Sequence, residues 1–342
     1  MFTEIDPIRS KLESLALKTA DLGDSDTAYV LPHDGGAILQ DGRRVWSYRV
    51  GDVYHAVLGR DALFENPEMG EPRYEKTLLY QVGNAIPQNS MTYVIRLRDG
   101  SFVLIDGGIE TDGDGISAIL DRLDDGPTPH RIRAWILTHP HYDHVTVFLN
   151  AAAGLAPEAV YLNFPCEKEH AARDPASLAQ NQAVRRTLAE LEKKGCIVSK
   201  PYAGQHFRVG ELRFDVLYSQ AEWALSDDMT TVNDASLVLK MTAPSGRTVL
   251  FLGDIMSRAA DVLMKLCPPS VLKSNIVQVA HHSMYGPDFT LYARIAPDTA
   301  CLWPVSASEY ALYGETIPRN ISLRALPIPH YISNLGDAEI AL

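Results

Sequence analysis

The chain has 342 residues, 46% of them apolar and 22% charged, and its 43 acidic against 31 basic side chains leave a formal charge of −12. This composition describes an ordinary soluble globular protein and excludes fibrous, collagen-like and disordered classes, while the negative charge works against binding long nucleic acid. No apolar run is long enough to span a membrane, the first residues lack the basic and apolar regions of a secretory signal, and the four cysteines form no CxxC pair, so reduced thiols in a cytoplasm are expected.

Ile8, Leu12 and Leu15 recur at helical spacing, which predicts a short amphipathic helix over Pro7 to Lys18 that packs on the rest of the protein, with self-association through it as the alternative. From Asp21 to Glu75 turn signals crowd together (Pro32, Asp34-Gly35-Gly36, Asp41-Gly42, Pro67, Gly70-Glu71-Pro72) around short alternating runs, Arg44 to Val50 and Val53 to Leu58, that read as strands. The texture changes at Leu78. Thr92 to Leu97 and Phe102 to Ile105 are β-rich runs joined at Asp99-Gly100, a hairpin signal, and the second leads straight into Asp106-Gly107-Gly108. Ile116 to Leu123 reads as a helix, Ile132 to Leu137 as a buried strand, and Ser177 to Lys194 as a long helix ended by Gly195. Hairpins with turns at Val209-Gly210 and Pro244-Ser245-Gly246 follow, then a helix over Ser257 to Leu266 and strands over Asn275 to Val279 and Thr299 to Trp303. Paired strands with helices between them predict an α/β layer arrangement with at least two sheets.

The segment Thr138-His139-Pro140-His141-Tyr142-Asp143-His144 stands directly after a predicted strand and carries four metal-binding side chains within six residues. Imidazole and carboxylate suit Zn, Mn and Fe. In an extended loop His139 and His141 would face one ion while Asp143 and His144 turn to a second. Gly253-Asp254 closes the strand Thr248 to Leu252, and Val277 to Ala280 runs into His281-His282-Ser283. A carboxylate between two cations offsets their repulsion, a role open to Asp254, whereas Asp106 is placed to orient a ligand histidine from outside.

Together, Ile105-Asp106-Gly107-Gly108, the hexapeptide 139 to 144, Gly253-Asp254 and His281-His282-Ser283 resemble the metallo-β-lactamase fold hydrolases over Leu78 to Leu342, which leaves residues 1–77 as an N-terminal extension. Within that superfamily, the run Asn233 to Leu239 followed by Gly-Asp and His-His-Ser looks most like the ComEC/Rec2-type soluble metallohydrolases. The resemblance implies an αβ/βα sandwich, two mixed sheets packed face to face with helices outside, and a dinuclear site at one edge. By position, His139 and His141 would bind the first ion, Asp143, His144 and His281 the second, and Asp254 would bridge, with His282 as the alternative to His281. The family usually adds a third histidine to the first ion, about 20 residues before the bridging Asp. Here Thr230 to Asp234 occupies that stretch, so Asp234 or Asn233 would serve as an oxygen ligand, or the first site is weak or empty. His170 and His206 are read as surface or core residues.

The implied cofactor is a pair of divalent ions, with Zn ahead of Mn or Fe, and the implied chemistry is hydrolysis. Asp143 would orient the attacking water, Asp254 would hold both ions, and His282 or His281 would stabilise the leaving oxygen. Tyr142 and Tyr285 flank the ligands. An iron-dependent oxygen reductase of the same fold would carry Glu in place of His141. The expected substrate is a small phosphoester or phosphodiester; acyl hydrolysis of a lactone, thioester or β-lactam is the alternative, and a non-catalytic metal- or ligand-binding scaffold a third reading. The extension could cover the mouth of the site.

Overall fold

The computed structural model describes residues 5–32, 45–50, 52–58, 63–84, 86–124 and 130–342. Among the described residues of 1–77, the sequence-derived extension, are helix α1 (Ile5–Leu15) and strands β1 (Lys18–Gly23), β2 (Asp26–Pro32), β3 (Val45–Val50) and β4 (Val53–Leu58). The strands form an antiparallel sheet in the order β1-β2-β4-β3. Helix α1 ends earlier than its apolar spacing predicts, because Leu17 N already donates to Val30 O and strand pairing starts at Lys18. It packs on its own sheet, where Leu12 is buried with Tyr29, Leu31, Ala56 and Leu58. The turn signals at Asp34 to Gly36 and Asp41-Gly42 lie outside the described residues.

The chain continues through β5 (Leu78–Gln81), β6 (Tyr93–Arg96), β7 (Phe102–Ile105), α2 (Asp112–Leu123), β8 (Ile132–Leu137), α3 (Tyr142–Leu155) and β9 (Ala159–Leu162). Helices α4 (Glu167–Arg173) and α5 (Leu178–Lys193) lead to β10 (Ile197–Ser199). The second half comprises β11 (His206–Val209), β12 (Leu212–Tyr218), α6 (Gln220–Ala224), β13 (Val238–Thr242), β14 (Thr248–Phe251), α7 (Ser257–Leu266) and α8 (Pro269–Leu272). It closes with β15 (Ile276–Gln278), α9 (Phe289–Ile295), β16 (Ala300–Trp303), α10 (Ala307–Thr316), α11 (Pro318–Arg324), β17 (His330–Ile332) and β18 (Ala338–Ala341).

Every residue of β7 and β8 is buried, and a strand apolar on both faces needs a layer on each side. The alternation of side chains assigns the layers. Val103, Ile105, Ala134 and Ile136 face a second sheet, meeting Phe207, Phe214, Leu239 and Phe251, while Phe102, Leu104, Trp135 and Leu137 face Ile116 and Leu120 of α2 and Val145 and Phe148 of α3. The second sheet has the mirror arrangement, with Val249 and Phe251 inward and Leu250 and Leu252 against Ala259 and Leu263 of α7. Both sheets are mixed and seven-stranded, in the orders β10-β9-β8-β7-β6-β5-β18 and β11-β12-β13-β14-β15-β16-β17. The result is an αβ/βα sandwich. The C-terminal strand crosses back to pair with β5 in the first sheet, a connection that local pattern does not reveal.

The extension's sheet shares a cluster with the second half: Leu22, Ala28 and Val57 are buried with Tyr218, Ala221 and Trp223, and Tyr202 Oη donates to Asp26 Oδ2 at 2.6 Å. Trp223 links this contact to the loop that follows α6, donating from Nε1 to Thr231 O at 2.9 Å and stacking under the Arg173 guanidinium at 4.3 Å. Truncating so large a buried side chain leaves a void as well as an unpaired carbonyl, so Trp223→Ala is expected to cost about 3–5 kcal/mol, read as a fall in the urea midpoint of unfolding. A change below about 1 kcal/mol would contradict this packing role.

Candidate metal centre

Five loops meet at one edge of the sandwich, those after β7, β8, β14 and β15 and the one before β13. Asp106, after β7, joins the first two. Its Oδ1 accepts from Thr138 N at 2.7 Å, and its Oδ2 accepts from Thr138 Oγ1 at 2.7 Å and from His144 Nδ1 at 2.8 Å. Only His139 to His141 of the hexapeptide are extended. Helix α3 begins at Tyr142, so Asp143 and His144 sit on its first turn, and the expectation of a wholly extended loop is corrected: His144 N and Val145 N both bond back to His141 O. The helix can lie this close because Gly107 lacks a side chain; a Cβ there would stand 2.8 Å from Phe148 N.

The outer nitrogen of each buried imidazole is occupied by an oxygen. His144 Nδ1 donates to Asp106, His282 Nδ1 donates to Pro304 O at 2.6 Å, and His139 Nδ1 lies 3.2 Å from Thr138 Oγ1, whose own proton goes to Asp106. The three Nε2 atoms therefore converge inward, on Asp254 Oδ2, at 3.8 Å from His139, 3.3 Å from His144 and 3.2 Å from His282. His282 Nε2 also lies 3.1 Å from Asp143 Oδ2, and His139 Nε2 lies 3.1 Å from His141 Nδ1. Ligands of a tetrahedral ion stand about 3.3–3.6 Å apart, given bonds near 2.0–2.2 Å, and the observed donor spacings bracket that distance. Two triads emerge, His139-His144-Asp254 and Asp143-His144-His282. Asp254 Oδ1 is buried without a hydrogen-bond partner. This donor set fits divalent ions, and imidazoles whose second nitrogen is tied to an oxygen are what ligation requires.

Two sequence-derived ligands do not converge. Position in the chain points to His281 with His282 as the alternative, and it is His282 that reaches the cluster. His281, His282 and Ser283 all have positive φ, 52°, 50° and 63°, and this left-handed turn sends His282 inward while His281 Nδ1 donates to the Tyr285 carbonyl. Buried Arg319 clamps the turn, donating to Ser283 O at 2.8 Å and Met284 O at 2.6 Å. The Asp234 carboxylate is also turned away, accepting from Met256 N at 2.8 Å just before α7. Burial raises its pKa to about 6 against the pull of the Met256 and Ala259 amides. His170 is buried on Ser177 and Asn181, and His206 is exposed on β11.

Sequence reasoning missed Asp174, at the end of α4. Its Oδ2 lies 3.7 Å from His141 Nε2 and accepts from Val232 N at 3.1 Å, and the His141 imidazole beside it holds its pKa at about 2 despite burial. Nothing in its local spacing marks it. An open cavity of about 560 Å³ lies over the cluster, and its walls include Asn89, Tyr142, Asp174, Gln180, Asn233 and Glu309. No described residue of the extension lines it, so the expected cover over the mouth is not seen among the described residues. Tyr142 lines the cavity, whereas Tyr285 contributes its carbonyl to His281 and its ring is exposed.

Without metal, neighbouring carboxylates favour the protonated form of His144 and His282. Burial works to lower both pKa values, but Asp254 and Asp106 outweigh it at His144, raising it to about 10, and Asp254 and Asp143 raise His282 well above the ordinary imidazole value. Each must lose its Nε2 proton to ligate. Loading at pH 7 is therefore expected to release about two protons, and affinity is expected to weaken as pH falls. Calorimetric titration in buffers of different ionisation enthalpy counts those protons; a count near zero would show that no protonated imidazole of this pair gives way to the ion.

A family model described as the metallo-beta-lactamase superfamily matches residues 85–148, the segment holding Asp106 and the whole hexapeptide. No curated protein matches the chain. Among solved structures, the metallo-beta-lactamase fold protein YhfI from Bacillus subtilis is similar at 12% identity, over 78% of this chain and 100% of that one, with a TM-score of 0.44. Zn(2+)-bound PqqB from Methylobacterium extorquens is similar at 9% identity, over 78% and 100%, with a TM-score of 0.49. CmlA, a diiron beta-hydroxylase from Streptomyces venezuelae, is similar at 14% identity over 80% of this chain but 55% of its own length, with a TM-score of 0.47. The family match thus spans residues 85–148 of the αβ/βα sandwich, from the loop after β5 into α3.

Proposed function

We propose that this protein is a metal-dependent hydrolase with a dinuclear site that cleaves a phosphodiester in a small substrate. The observation that carries the reading is the convergence of His139, His144 and His282 Nε2 on Asp254 Oδ2 beneath an open cavity. His139 and His141 would hold one ion, Asp143, His144 and His282 the other, and Asp254 both; zinc leads, with Mn or Fe as alternatives. Bound there, the ions supply a nucleophilic water at neutral pH and polarise the scissile oxygen. Asp143, at the N-terminus of α3, is placed to accept a proton from the attacking water and orient it. Asp106, buried behind His144, keeps that imidazole turned inward through every stage.

Charge on the cavity wall supports the choice of substrate. The lining includes four carboxylates, Asp143, Asp174, Asp254 and Glu309, and no Lys or Arg among the described residues. Two divalent ions would offset those four charges, which leaves a site suited to a single negative charge, as in a diester, and unsuited to a polyphosphate or a long nucleic acid. The same balance admits an uncharged acyl substrate, so hydrolysis of a lactone, thioester or β-lactam is the second reading. The order Asn233 to Leu239, Gly253-Asp254, His281-His282-Ser283 supports kinship with the ComEC/Rec2-type soluble hydrolases. All four cysteines are free, and no helix among the described residues is long and apolar enough to cross a membrane. The free thiols support work in a reducing cytoplasm.

Metal-loaded protein is expected to hydrolyse bis-p-nitrophenyl phosphate in preference to the dianionic p-nitrophenyl phosphate, nitrocefin and a model thioester. Asp143→Asn should lower kcat by at least about 100-fold. Turnover of acyl substrates alone would select the second reading, and tight binding of two ions with no turnover would select a non-catalytic scaffold.

A further inference from the structure

The loop that lacks the family's third histidine is held in an unusually determined way. Its turn, Val232–Ala235, is anchored on the outside by Trp223 through Thr231 O and by Tyr218 Oη, which donates to Asp234 O at 2.7 Å. Asp174 takes Val232 N, and Thr231 Oγ1 takes Asn233 N at 3.3 Å. With Asp234 committed to Met256 N, the side chain left facing the cavity is that of Asn233, which is 7% exposed and shares the cavity wall with His141 and Asp254.

The orientation of the Asn233 amide follows from its neighbour. A carbonyl can only accept, so His281 Nδ1, bonded to Tyr285 O, carries a hydrogen. In the neutral ring Nε2 then presents a lone pair, and it accepts from Asn233 Nδ2 at 3.2 Å. The amide nitrogen is thereby fixed toward His281, and Oδ1 is left buried without a hydrogen-bond partner. A buried carbonyl in that state calls for an electropositive partner.

We propose that Asn233 Oδ1 is, besides the shared Asp254, the third protein ligand of the ion held by His139 Nε2 and His141 Nδ1, and that His281 is the positioning residue that aims it. The proposal rests on the two-ion reading above. Asp174 serves the same ion from two sides, facing His141 Nε2 and anchoring the backbone beside Asn233. An amide oxygen is a harder and weaker donor than imidazole, so this ion is the more exchangeable of the two, and its site discriminates less strongly for Zn over Mn than an all-histidine site.

Zn and Co titrations of the full chain with a competing chelator, with the metal-to-protein ratio and the Co absorption bands as readouts, test this. Wild type should hold two ions of unequal affinity. Asn233→Ala should weaken the looser ion by at least about 10-fold and leave the tighter one unchanged, and His281→Phe should weaken the same ion by about 10-fold. Asn233→His should tighten Zn at that position and shift the Co bands toward greater nitrogen ligation. Two ions retained at wild-type affinities in Asn233→Ala would overturn the proposal while leaving the two-ion reading intact, whereas a wild-type protein that holds no metal would overturn both. Should Asn233→Ala not fold, Asn233→His decides: a folded variant whose Zn affinity and Co spectrum match wild type would overturn the proposal.

Discussion

The site depends on one buried carboxylate. Asp106 is wholly enclosed at the end of β7, where burial raises its pKa against the pull of His144 and Thr138. Its three acceptor bonds are the compensation that allows a carboxyl group to sit there. Each bond also places something: Thr138 sets the exit of β8, and through its hydroxyl the ring of His139, while His144 sets the first turn of α3. The backbone cooperates, since Asp106 N donates to Ile136 O and Trp135 Nε1 donates to Asp106 O at 2.9 Å. Strand, loop and helix are locked to a common point, which is how flexible side chains from separate segments come to share a few ångströms.

The opposite wall is built on a different device. Gln278, at the end of β15, accepts from Leu252 N at 2.7 Å and donates to Gly253 O at 3.1 Å and Val279 O at 2.8 Å, so the loop bearing Asp254 and the loop bearing His282 are tied together. Gly253 adopts φ 56°, and a Cβ there would stand 2.9 Å from Ser236 Cβ, so the chain needs glycine to turn Asp254 inward. The next loop uses no glycine where it takes three left-handed residues in succession. At roughly 1–2 kcal/mol each, that conformation persists because Arg319 and Asn320 satisfy the Ser283 carbonyl and the Pro304 carbonyl takes His282. Backbone strain here has a visible result: neighbouring histidines face different tasks.

Much of this was legible in the residues themselves. The strands β7 and β8, the hairpins at Asp99-Gly100, Val209-Gly210 and Pro244 to Gly246, and helix α7 follow from apolar runs and turn chemistry that are local in sequence. The hexapeptide was legible because its ligands are contiguous. The choice between His281 and His282 was not, because it depends on φ values that no residue type at 281 to 283 announces. The start of α3 was hidden for a similar reason: His141 caps the helix with no side-chain bond, so no Ser, Thr or Asp marks the boundary. Strand β18 was hidden by distance, as Tyr80 and its partner Glu339 are 259 positions apart.

The two halves of the centre differ in kind. Around His144 and His282 the donors are enclosed and their outer nitrogens are tied to Asp106 and to a main-chain carbonyl, so little can shift without leaving a buried group unpaired. Around His141 the ring is partly exposed, its outer nitrogen is 3.7 Å from Asp174, and the neighbouring loop is held by hydrogen bonds at its margins. A rigid half and a more open half are joined by Asp254, whose Oδ2 lies within 3.8 Å of the Nε2 atoms of His139, His144 and His282. The open half faces the cavity wall carrying Asp174 and Asn233, so an ion held there would be the one reached from the cavity.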